Sequence, residues 1–114
     1  MTRDYSLKQD EYGYFVDQDG CSHESPAMWF WIAILGGCGC GNAGDLADKA
    51  LALLRFFAER NERVFSYTEG NEILAHWFDS KKLTEHGGTV GGSWLTKDGK
   101  AVLKAVQEVT MNDL

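Results

Sequence analysis

The residues best suited to chemistry are Cys21, His23, Cys38 and Cys40, which read as C-x-H and C-x-C across a 14-residue gap. Four soft or borderline ligands are the set a closed tetrahedral zinc site needs, and the glycines around Cys38 and Cys40 would let both thiolates turn toward one ion. Neither pair has the wider spacing of common zinc knuckles, and the segment between them would have to fold back to join them. The same cysteines read more simply as small, reduced side chains at a helix corner where close packing also favours glycine. No cofactor is therefore expected, with zinc the one to test. A nucleophile reading would use Cys38 or Cys40 with His76 or His86 as base, and Cys40 lies just before a helix starting near Asp45, where an amino end favours thiolate. Nothing in the sequence places either histidine beside those thiols, and ordinary surface positions account for both. The expectation is a protein that is not an enzyme.

The glycine-rich segments GGCGCG and GGTVGG invite comparison with phosphate-cradling loops. Neither ends in Gly-Lys-Ser/Thr, and neither forms G-x-G-x-x-G after a strand. Asp17, Asp19 and Gly20 suggest part of a calcium loop, but the glutamate that would complete it is missing. A solvated acidic arm accounts for them better.

The elements that must position these residues follow from capping and spacing. Residues 1–26 hold six acids against two bases, interrupted by Tyr12, Tyr14 and Phe15. That arm reads as partly extended with a turn at Asp19-Gly20, or as a frayed end. Ser25-Pro26 reads as an N-cap followed by proline in the first turn, opening a helix through Leu35 that Gly36-Gly37 stops. Asp45 caps a second helix whose stripe is Leu46, Ala50, Leu53, Leu54 and Phe57. A third helix spans about Thr68 to Ser80 with Ile73, Leu74, Trp77 and Phe78 inward. Two short extended pieces then flank a glycine-rich tip, and Thr96 caps a last helix with Val102, Leu103, Val106 and Val109 on one side. Trp29, Trp31, Trp77, Phe56 and Phe57 are expected in the core. Trp94 and Tyr67 border polar or glycine-rich stretches and are candidate interface anchors, although burial beside Leu95 is the expected fate of Trp94.

The order helix, helix, helix, hairpin, helix resembles the winged-helix domains. Its specific element is Leu-Thr-x-x-Gly-x-x-x-Leu, here Leu95-Thr96-Lys97-Asp98-Gly99-Lys100-Ala101-Val102-Leu103. The resemblance covers residues from about 45 to 114. It implies an α+β, mostly helical fold with three helices, a β-hairpin wing and a C-terminal helix. Residues 1–24 would form the acidic arm and residues 25–114 a single winged-helix-like domain. In the members that bind DNA, the third helix enters the major groove and the wing touches the backbone. Size and acidity also make the chain similar to small accessory proteins of phages and prophages.

Eleven Lys and Arg face 17 Asp and Glu, a net charge of −6, while 44% apolar and 25% charged residues predict a folded core rather than a disordered tail. The start has no apolar run of a secretory signal or amphipathic transit peptide, so a cytoplasmic location with free thiols is expected. The apolar stretch Ala27 to Leu35 is nine residues, roughly half of what a bilayer core of about 30 Å requires, and predicts a buried helix. With the inward stripe set as above, the third helix turns Glu69, Asn71, Glu72, Ala75, His76 and Asp79 outward. Carboxylates there repel a phosphate backbone, and the tip from Gly87 to Ser93 carries no base. The reading is a non-enzymatic, acidic protein-binding module in which Glu69, Glu72, Asp79, Asp17 and Asp19 meet a basic surface on another protein. The phage resemblance implies an inhibitor of a host nucleic-acid-handling or defence complex, anti-CRISPR-like in its action. The alternative is a winged-helix DNA-binding transcriptional regulator, in which dimerisation would recruit Lys97, Lys100 and Lys104.

Overall fold

Three strands open the chain: β1 (Leu7–Gln9), β2 (Phe15–Asp17) and β3 (Ser22–His23), in an antiparallel sheet of order β1-β2-β3. The computed structural model describes residues 5–59, 71–86 and 93–112. Register pairs Leu7 with Asp17, Gln9 with Phe15, and Phe15 with His23. The two-residue period of a strand turns Leu7, Phe15, Asp17 and His23 inward, and all four are buried. The acidic start is thus a folded sheet packed on the first helix and on the last.

The first helix begins as its sequence predicts. The Ser25 hydroxyl accepts a hydrogen bond from the Met28 amide at 3.1 Å, and Pro26 follows in the first turn. Helix α1 (Pro26–Trp29) runs directly into a π-helical turn, Phe30–Ile34. The Leu35 amide bonds the carbonyl of Phe30, that of Gly36 bonds Ile32 and that of Gly37 bonds Trp31. The last two resemble a Schellman closure with each bond reaching one residue further back, as a widened turn requires. Trp29, Phe30 and Trp31 are buried in succession. Gly36 takes the left-handed conformation at φ +77°. A Cβ on Gly37 would lie 2.1 Å from the Trp31 indole, so the chain turns against that ring only with glycine there.

Helix α2 (Ala43–Glu59) is the central element and touches the first helix, α3 (Asn71–Ser80), α4 (Lys97–Asn112) and β5 (Trp94–Leu95). It starts two residues before the expected cap, leaving Asp45 in the first turn, where a carboxylate still complements the helix dipole. Its inward seam begins with Ala43, Ala47 and Ala50, not with Leu46, which is exposed. Small residues let α2 approach closely and push the larger leucine outside.

The third helix is rotated relative to expectation. Leu74, Ala75 and Phe78 point inward while Ile73 is 70% exposed. The cause is Phe78, which sits edge-on to Phe30 at 5.5 Å and to Phe57 at 6.2 Å and fixes the facing stripe. α3 closes through a Schellman pair, Leu83 amide to Phe78 carbonyl and Lys82 amide to Asp79 carbonyl, with Lys82 at φ +62° where glycine is usual.

Strand β4 (Thr84–Glu85) pairs antiparallel with β5, Thr84 opposite Leu95 and Glu85 opposite Trp94. Thr96 then caps α4: its hydroxyl oxygen accepts from the Gly99 amide at 3.1 Å and donates to the Lys82 carbonyl at 2.7 Å. A Cβ on Gly99 would meet the Leu83 carbonyl oxygen at 2.2 Å. The glycine of the Leu-Thr-x-x-Gly run is therefore where α4 lies against the backbone leading into the hairpin. The whole is a small α+β domain with two small antiparallel sheets among the described residues, and no described helix is long and apolar enough to cross a membrane.

Candidate functional site

The most constructed surface feature is the turn between β1 and β2. The Asp10 carboxylate accepts from the amides of Tyr12 and Tyr14 through one oxygen, each at 2.9 Å. The Asp10 amide donates to the Tyr14 carbonyl at 2.8 Å, and the Gly13 amide donates to the Asp10 carbonyl at 3.2 Å. Gly13 supplies the left-handed residue at φ +89°. Around this knot Phe15 goes into the core, while Tyr12 and Tyr14 are 78% and 49% exposed. Glu11, immediately before Tyr12 in the chain, is exposed as well. Two rigid amphipathic rings on a hydrogen-bonded turn, with an acid beside them, suit protein contact: tyrosine offers area at low entropic cost. Asp10 followed three residues later by glycine, between Leu7 and Phe15, is the turn signal that could have located this display in the sequence.

Asp17, expected at the partner surface, is only 8% exposed and is committed to the sheet. One of its oxygens accepts from the amides of Asp19 at 2.9 Å and Cys21 at 3.0 Å, and the other accepts from His23 Nε2 at 2.8 Å. Burial by itself pushes its carboxyl up. The His23 hydrogen bond, the Cys21 and Asp19 amides and the charge of His23 outweigh that and hold it below the usual carboxylate range. Asp17 thus acts as the internal clasp of the β2–β3 turn and not as an exposed acid. Asp19 is exposed on the same turn. Asp79 is half-buried and paired with His86 Nδ1 at 3.1 Å, which ties α3 to β4. Glu72 lies in the first turn of α3, and Glu69 and Tyr67 fall outside the described residues.

The four candidate zinc ligands do not converge. Cys38 and Cys40 are bonded to each other in a disulfide rather than standing as free thiols, His23 is engaged with Asp17, and Cys21 is exposed and unbonded. Among the described residues no three His, Cys, Asp or Glu side chains gather as a metal site. The thiols that a nucleophile would need are tied up in that disulfide, and His86 contacts Asp79.

Trp94 departs from its expected burial, being 46% exposed. It borders a groove of about 410 Å³ with Phe57, Leu95, Lys100 and Leu103. Register explains this: Leu95 faces the core, so its neighbour in the strand faces out. No protein-family model, curated protein or solved structure matches this chain.

Proposed function

We propose that this protein is a non-enzymatic, acidic binding module that docks on a basic surface of a protein partner. The observation that carries the reading is the Asp10-locked turn, which displays Tyr12 and Tyr14 beside Glu11. Supporting it, α3 contains no Lys or Arg from Asn71 to Ser80, and its exposed face offers apolar Ile73. Such a face suits protein contact better than a phosphate backbone. The net charge of −6 favours encounter with cationic partners. Small size and acidity support a setting as a phage inhibitor of a host defence or nucleic-acid-handling complex.

The test compares immobilised wild type with a Tyr12→Ala/Tyr14→Ala variant of unchanged circular dichroism, both exposed to lysate of candidate host cells and read by mass spectrometry. A discrete partner held by wild type, released by rising salt and lost from the variant is the expected result. Equal capture by both proteins refutes the role of the turn. Tight, salt-sensitive binding of wild type to a specific duplex would instead favour the winged-helix regulator.

A further inference from the structure

We infer that Cys38 and Cys40 form a reversible thiol–disulfide site that exchanges with low-molecular-weight thiols. The two cysteines are bonded across a single glycine, and both are exposed, so a thiol from solution can reach the bond. A disulfide that closes so short a loop constrains the unfolded chain little, which leaves it small value as a structural staple. Exposed disulfides of this kind are the labile ones, in contrast to buried bridges that resist reduction.

The loop is also coupled to the core. Trp31 Nε1 donates to the Cys38 carbonyl at 2.9 Å, and the Trp31 ring lies against Gly37 and edge-on to Trp77 at 5.1 Å. A change of bonding at Cys38 therefore falls next to a largely buried indole. It also falls between the first helix and α2, the two elements that this loop joins.

The exchange balances without a cofactor. A thiolate attacks one exposed sulfur, forming a mixed disulfide as the Cys38–Cys40 bond breaks, and the other cysteine leaves as a thiolate that takes a proton. A second thiol attacks the external sulfur of the mixed disulfide. The products are a Cys38/Cys40 dithiol and one small-molecule disulfide, so the two electrons come from two thiols. Oxidation by the small-molecule disulfide runs the same steps backward.

The test equilibrates the full chain in glutathione buffers of graded ratio, quenches with an alkylating reagent and reads mass and tryptophan emission. Cys21, exposed and unbonded, should be alkylated at reducing ratios and carry glutathione instead at the most oxidising ones. The expected result is a gain of two alkyl groups on the Cys38–Cys40 peptide in a single transition. A rise in tryptophan emission should accompany it and be absent from a Cys38→Ser/Cys40→Ser variant of unchanged circular dichroism. Two outcomes would overturn the assignment: all three cysteines labelled in air-oxidised native protein, or no gain of label even at the most reducing ratio.

Discussion

Single atoms decide several features, and the glycines show it most sharply. Gly99→Ala places a methyl group where the Leu83 carbonyl oxygen stands, so it should destabilise the fold by about 2 kcal/mol, measured by urea denaturation. Gly44, in the first turns of α2, has nothing within 4 Å of an added Cβ, so Gly44→Ala should stabilise by about 0.5 kcal/mol in the same assay. Opposite signs from one chemical change would verify that approach, rather than glycine content, is what matters. Asp17 should make stability depend on pH at the acid end. Because its carboxyl is held below the ordinary value of 3.8, it contributes stability that is fully present above that value and is lost as pH falls through the folded-state value. Urea midpoints should drop on acidification below about pH 4, and Asp17→Ala should flatten that drop. At neutral pH Asp17→Ala should already cost about 3 kcal/mol, since it strips a buried histidine of its partner. The acidity of Asp17 was legible in the sequence; its burial was not, because only strand pairing shows that residue 17 shares a face with Leu7 and His23.

Among the elements, legibility followed how local the deciding interaction is. Ser25-Pro26 and Thr96 announced their helices because an N-cap is satisfied within three residues. Leu74, Trp77 and Phe78 of the third helix lie on the expected side, and only Ile73 is displaced by Ala75, because the helix rotation is set by Phe30 and Phe57, far away in the chain. Both Ile73 and Ala75 fit helical periodicity, and only the packing of Phe78 chooses between them. The widening of the first helix at Phe30–Ile34 left no such signal, since an apolar run satisfies either winding. The Tyr12–Tyr14 display is hidden in the sequence for a different reason: its deciding bonds are local, yet they come from an aspartate that looks like any other solvated acid. Thr96 joins two elements at once, which gives a sharp prediction. Thr96→Val should lose the cap on α4 and the bond to the Lys82 carbonyl, costing about 2 kcal/mol, whereas Thr96→Ser should keep most of the stability. Lys82→Gly should gain about 0.5 kcal/mol by relieving a left-handed lysine at the end of α3. Both are read as shifts in urea midpoint.

Across the whole molecule, charge and topology act together. If the protein binds a cationic partner as proposed, the excess of acid over base should make that binding depend on ionic strength, and the dependence should weaken when Glu11 and Asp19 are replaced by neutral residues, measured as the slope of affinity against salt. The fold has one further consequence. Strand β1 lies on α4, with Leu7 and Phe15 joining the core that Val102 and Val106 also enter. The molecule is thereby buckled by its most distant pieces: however early the middle helices assemble, the first strand finds its seat only once the last helix exists, and loosening either one should unfasten the other.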